Sequence, residues 1–232
     1  IMIKDTICQS LYFGVLVSLG AYLFGIWLRE KTGFAVFNPL LVAIVAVIAI
    51  LSFFHIDYDD YNVGGSFVSF LLTPATVCLA IPLYKQLELL KREALAVFAA
   101  ITAGVAGSAA SIFAMCALFK MSHVHYVTLL PKSITTAIGM GVSEEAGGIV
   151  TLTVASIIVT GILGNIAAEF IFRLAKLEEP IAKGLALGTA AHAIGTAKAL
   201  SLGEIEGAMS SLAIAVAGIM TVVVVPLVSG LI

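Results

Sequence analysis

The chain has 232 residues, 61% of them hydrophobic, and its charged side chains number 12 Lys and Arg against 14 Asp and Glu. Charged residues make up 11% of it, against about 25% in a soluble domain. A water-soluble globule and a disordered chain are therefore excluded, and so is nucleic-acid binding, for want of a basic patch.

The charges leave long gaps. No Asp, Glu, Lys or Arg occurs in residues 6–28, 32–54, 61–84, 94–119, 146–168 or 207–232, which are runs of 23, 23, 24, 26, 23 and 26 residues. About 20 apolar residues of helix cross a bilayer core of about 30 Å, so each run can span. The first run is expected to be kept as a helix rather than cleaved as a signal. Two further apolar stretches are interrupted. Residues 121–143 carry Lys132 with 11 uncharged residues on either side, and residues 184–203 carry His192 and Lys198 among small residues. The run 61–84 holds Pro74 and Pro82, either of which breaks or kinks a helix. Irregular backbone is tolerated in a membrane only where it is buried in protein or lines a cavity, so these three segments are where function is to be sought. Cys8, Cys78 and Cys116 have neither metal spacing nor an even-numbered framework.

The predicted fold is an all-α polytopic membrane protein, a single transmembrane domain over residues 1–232 with about seven spanning helices of this length and one re-entrant hairpin. Basic residues favour the cytoplasmic side. Successive loops carry Arg29 and Lys31, then none beside Asp57, Asp59 and Asp60, then Lys85, Lys91 and Arg92, then only Lys120. That alternation puts the N-terminus outside. Arg173, Lys176 and Lys183 make the segment after 146–168 cytoplasmic, so 121–145 must enter and leave on the outer side. An arm of 11 residues is about 16 Å of helix, half the hydrocarbon core, and Pro131-Lys132 marks the tip.

A shift of 116 residues, half of the 232-residue chain, lays 32–54 on 148–170, 61–84 on 177–200 and 94–116 on 210–232. Identities at that shift are few, among them Thr73 with Thr189 and Phe54 with Phe170, so no sequence homology follows. The order of plain and interrupted runs does match, dividing the chain into halves of about 32–119 and 148–232. Inverted repeats with interrupted helices near the midplane are a mark of secondary transporters.

Three segments carry the chemistry. In the first, Pro131 and Lys132 are followed by Ser133, Thr135 and Thr136, hydroxyls suited to cap a helix start whose dipole attracts anions. A lysine at that depth must face water or a partner; otherwise it sits in an ordinary loop between interfacial helices. The second contains Thr189, His192, Gly195, Thr196 and Lys198. His192 either carries a coupled proton or bonds across a helix interface without titrating, and Lys198 either binds substrate or snorkels to an interface. The third is Thr73, Pro74 and Thr76 with Pro82, where prolines free carbonyls to coordinate a cation or hydroxyl, or merely kink a packing helix. Asn38-Pro39 reads as a helix start, and Glu169 with Arg173 as an ion pair. No Asp lies in a charge-free run, and there is no HExxH motif, no Ser–His–acid set with a buried acid and no nucleotide-binding loop. Enzymatic function and primary pumping are not expected.

These segments resemble the LrgB/CidB family of bacterial membrane proteins over essentially the whole chain. The resemblance rests on Asn38-Pro39-Leu40-Leu41, Tyr58-Asp59-Asp60-Tyr61, Pro74-Ala75-Thr76-Val77 through Pro82-Leu83-Tyr84, Leu130-Pro131-Lys132-Ser133-Ile134-Thr135-Thr136, Gly184-Leu185-Ala186-Leu187-Gly188-Thr189-Ala190, His192-Ala193-Ile194-Gly195-Thr196-Ala197-Lys198-Ala199 and Glu206-Gly207-Ala208. The chain departs from the family in having Ala137-Ile138-Gly139 where Pro-Ile-Ala is usual, and Ala191 where a serine usually precedes the histidine.

The resemblance implies a multi-pass protein of the bacterial cytoplasmic membrane and two functions. One is a secondary transporter of small monocarboxylates of the pyruvate, lactate, glycolate or glycerate type, as in the similar plastidal glycolate/glycerate translocator. The other is an antiholin-like regulator of murein hydrolase activity and lysis, acting with a small LrgA/CidA-type membrane protein. The residues favour the carrier, because a carboxylate anion needs cationic groups and capped half-helices near the midplane. No cofactor is expected beyond a proton or sodium gradient for coupling. The partners expected are the carboxylate, the lipid bilayer, the small membrane protein and further copies of the chain.

Overall fold

The computed structural model describes residues 10–34, 37–71, 74, 77–78 and 80–232, and among them all the regular structure is helical, with no strand. The chain divides into two compact units, residues 1–78 and 79–232.

In the first unit, α1 (Leu11–Thr32), α2 (Pro39–Phe54) and α3 (Tyr58–Phe70) follow one another. Ser10 caps α1 by accepting from the Phe13 amide, and Gly33 ends it at φ 68°. Asn38 starts α2, its side-chain oxygen accepting from the Leu40 and Leu41 amides with Pro39 in the first turn. Asp59 and Asp60 lie in the first turn of α3, where the helix dipole favours negative charge. Two glycines fix the packing. A Cβ at Gly14 of α1 would strike the backbone at Tyr61, Gly64 and Gly65 of α3, and one at Gly25 would meet the backbone of Pro39. The helices thus approach backbone to backbone, as small residues allow in membrane bundles.

The second unit contains α4 (Ala80–Lys85), α5 (Leu87–Arg92), α6 (Ala94–Leu118), α7 (His123–Leu129), α8 (Thr136–Glu145), α9 (Val150–Leu174), α10 (Pro180–Leu202) and α11 (Glu204–Val228), with a final turn of 3-10 helix. Helices α6 and α11 run the same way. Val97, Ile101 and Val105 pack with Met209, Ala213 and Ala217 near their starts, while Ile112 and Cys116 pack with Val225 near their ends.

Short helices α7 and α8 form a hairpin that enters and leaves at one end of this bundle. Helix α7 starts beside the ends of α6 and α11, where the Tyr126 hydroxyl donates to the Val228 carbonyl at 3.0 Å. The turn at Pro131–Ser133 reaches Ser108, near the middle of α6, with Ser133 Oγ at 2.9 Å from Ser108 Oγ. Helix α8 then returns, with Ile138 facing Gly218 and Val142 packed with Val225.

Helix α10 doubles back too. Its backbone breaks at Ala191 (φ −131°, ψ 15°) and His192 (φ 41°, ψ −136°). Before the break, Gly184 lies on Glu206 and Met209 and Gly188 on Ser210 and Ala213, so this arm runs with α11. After it, the Thr196 hydroxyl meets Ser210 Oγ at 2.8 Å and Leu200 covers Gly207, so the second arm runs back. Gly195 is pressed against the Leu187 carbonyl, eight residues earlier, with no room for a side chain. The break sits against Gly161 and Gly164, at the middle of α9.

Among the described residues four helices are long and apolar enough to cross a membrane: α1, α6, α9 and α11 with its final turn. This is fewer than the seven or so expected. At 16 residues, α2 is about 24 Å long, short of a core of about 30 Å. Run 61–84 is not one helix, since α3 ends at Phe70, and the stretch 184–203 is folded in two.

Candidate functional site

The second unit holds an open cleft of about 1160 Å³ between α6, α9 and the first arm of α10. Arg92, Glu93 and Glu179 stand at its mouth and Lys132 and Ser133 at its inner end. Its α6 wall is a stripe of small residues, Gly104, Gly107, Ser108 and Ser111, spaced as one helical face. The stripe is narrow for a reason. A Cβ at Gly104 would come within 3.1 Å of Thr189 Oγ1.

The hairpin tip brings its polar groups to a single point. Lys132 Nζ donates to Ser133 Oγ at 3.3 Å, and Ser133 in turn bonds Ser108. Lys132 is half-buried and Ser133 buried. Among the described residues no carboxylate forms an ion pair with Lys132; the ion pairs there join Lys85 to Glu204, Arg92 to Glu93 and Lys198 to Glu169. An ammonium group so placed, with two hydroxyls beside it, is fitted to receive an anion. On the opposite wall Thr189 donates its proton to the Leu185 carbonyl at 2.7 Å, which leaves its oxygen free to accept from a hydroxyl in the cleft.

Lys132, Ser133 and Thr189 are thus the predicted site residues that the fold brings together. The others lie elsewhere. The His192 ring is buried behind Gly161, where Nε2 donates to the Ile157 carbonyl at 2.9 Å, and it does not line the cleft. Thr196 is buried against α11, and Gly195 is packed on Leu187. Lys198 bonds the Glu169 carboxylate, so Glu169 pairs with Lys198, and Arg173 Nε donates to its backbone carbonyl instead. Thr135 occupies the cap position of α8 without a side-chain capping bond, and Thr136 opens that helix; neither lines the cleft. Pro74 is helical and exposed in the first unit, while Thr73 and Thr76 lie outside the described residues. Sequence reasoning missed Gly104, Ser108 and Ser111, although their spacing within 94–119 marks a face of small residues.

The family model described as "LrgB-like family" matches residues 18–231. The chain belongs to the LrgB-like family. It is 40% identical over 217 residues, 93% of this chain and 94% of the relative, to proteins named antiholin-like protein LrgB in Bacillus cereus strain B4264 and Bacillus anthracis strain CDC 684 / NRRL 3495. No solved structure matches. LrgB-like membership and the long apolar helices together make this a multi-pass membrane protein. Of the two functions implied by the sequence resemblance, the names of these LrgB relatives match the antiholin-like one better than the carrier.

Proposed function

We propose that the chain carries small carboxylate anions across the cytoplasmic membrane, with Lys132 as the binding cation. The observation that supports this reading is the Lys132 ammonium, which forms no ion pair among the described residues, at the inner end of the cleft and level with the middle of α6. The carboxylate sits on Lys132 and the hydroxyls of Ser133 and Ser108, and the 2-hydroxyl of a substrate donates to Thr189. The hairpin α7–α8 is re-entrant, its tip near the midplane. Lys85, Lys91 and Arg92 and, beyond α9, Arg173, Lys176 and Lys183 put the mouth of the cleft on the cytoplasmic side, with the N-terminus outside. A proton or sodium gradient drives the flux, and the chain works as a homo-oligomer. Purified protein in liposomes tests this with labelled pyruvate, lactate, glycolate and glycerate under separate pH and sodium gradients. Uptake that depends on Lys132 is expected, and none of the four moving under either gradient overturns it.

A second reading is favoured by the relatives' names. The chain acts as an antiholin-like protein with a small LrgA-type membrane partner, restraining murein hydrolase activity and lysis. Deletion then changes autolysis even when no carboxylate is supplied.

A further inference from the structure

The two hairpins are built to the same measure. Helices α6 and α9 each have 25 residues, and adding 56 to a number on α6 gives its counterpart on α9, 94 to 150 and 118 to 174. The hairpins span 123–145 and 180–202, so adding 57 carries the first onto the second. One enters the bundle from the end of α6, the other from the end of α9. These are opposite ends, because Thr153 in the first turns of α9 meets the first hairpin, whereas Lys198 near the end of α10 meets Glu169 near the end of α9.

The cleft obeys this pairing. Gly104, Ser108 and Ser111 of α6 correspond to Thr160, Gly164 and Ala167 of α9, and all six line it. Lys132 and Ser133 correspond to Thr189 and Ala190, which line it as well. The inner part of the cleft therefore lies on a pseudo-two-fold axis, while its mouth does not. Val97 and Leu185 line the cleft on the open side but are themselves buried, packed in the core with Met209. Their counterparts are Thr153 and Thr128, and these are wholly buried with Ser143. Thr153 Oγ1 lies 2.6 Å from Ser143 Oγ and 2.9 Å from the Thr128 carbonyl, and the Ile149 amide donates to Thr128 Oγ1 at 2.9 Å.

We propose that residues 94–145 and 150–202 are an inverted repeat, and that the anion site has a second entrance along the seam of α6, α7 and α9, held shut by Thr128, Ser143 and Thr153. This division differs from the halves 32–119 and 148–232. It rests on the carrier reading. Inverted repeats of this kind expose one midplane site to either side in turn by exchanging the conformations of the two halves. The closed entrance takes on the shape of the open one, so Thr128 and Thr153 part as the cleft between Ala100 of α6 and Ala186 of α10 closes. Hydroxyls suit the closing role, because each bond given up on opening is replaced by water.

Two experiments decide it, in a chain carrying Cys8→Ser, Cys78→Ser and Cys116→Ala. In the first, Ser156→Cys, the counterpart of Ala100 on the cleft wall, is labelled in membrane vesicles with an impermeant maleimide added from the face that carries Ser122. Slow labelling is expected, at least threefold faster when Thr153→Val is added. A reporter that reacts only from the face carrying Arg92, or a rate indifferent to Thr153→Val, overturns the second entrance. Ala100→Cys, labelled equally from the Arg92 face with and without Thr153→Val, shows that the fold survives. In the second, Ser143→Cys with Thr153→Cys is cross-linked by oxidation in liposomes, with flux of the four carboxylates expected to fall at least tenfold and to return on reduction. Undiminished flux through the cross-linked protein overturns the inference. If the uncross-linked protein moves none of the four, the carrier reading fails, and the labelling still decides the entrance.

Discussion

Ser108 on α6 and Ser133 at the tip of the first hairpin share a hydrogen bond of 2.9 Å, and that bond holds the Lys132 ammonium against the middle of a spanning helix. Ser108→Ala and Ser133→Ala are each expected to lower stability by about 1 kcal/mol and to slow uptake. Because the two residues share one interaction, the double variant is expected to be little worse than either single variant. Thermal melting in detergent beside liposome flux measures both.

Two lysines of the second unit should behave in opposite ways. Lys132→Gln removes a charge-assisted contact of about 1.5–3 kcal/mol, so uptake is expected to drop by roughly 10- to 150-fold, with Lys132→Arg retaining part of it. Lys198 is tied to a half-exposed Glu169, a pair of a kind that contributes about 0–1 kcal/mol. Lys198→Ala is expected to leave uptake within about twofold of the original. Equal losses in both variants would sink the assignment of the anion to Lys132.

His192 holds a break rather than facing the cleft. Its bond to the Ile157 carbonyl ties the tip of α10 to α9, and losing that hydrogen bond costs about 0.5–1.5 kcal/mol. His192→Ala is expected to melt at a lower temperature. His192→Gln, which can still donate, is expected to recover much of that loss and to keep flux; a His192→Gln chain that melts normally yet carries nothing points back to a proton-carrying role.

Gly188 and Gly164 are slots. A Cβ at Gly164 would come within 2.6 Å of the Ala191 side chain, and one at Gly188 would strike the Ser210 carbonyl. Gly164→Val and Gly188→Val are each expected to cost about 1–3 kcal/mol or more, seen as lost expression or a lower melting temperature. Gly107→Ala, with open space around it, is expected to change neither.

The two functional readings separate in one strain. Lys132→Gln, with its drop in carboxylate uptake of roughly 10- to 150-fold, is placed in cells whose autolysis is then followed. Autolysis unchanged from the parent strain would show that lysis control, where present, does not run through the anion site.

The sequence was enough to show a membrane protein, because it carries charge-free runs long enough to span a bilayer, and helices α1, α6, α9 and α11 overlap four of the six runs. Pro131 and a lone Lys132 also marked, in the sequence, the place where the helices α7 and α8 are separated by a turn. The second hairpin was not legible in it. No proline or charge marks the break at Ala191–His192, and a histidine at φ 41° is held there by the Ile157 carbonyl and by room left at Gly161 and Gly164 on another helix. Without that fold the pairing of 94–145 with 150–202 is invisible, as almost none of the paired residues are identical. The candidate site divides in the same way. Lys132, Ser133 and Thr189 could be named from residue type and setting, but their meeting in one cleft, and the departure of His192, Thr196 and Lys198 to other partners, were decided by which face of each arm packs against α6, α9 and α11.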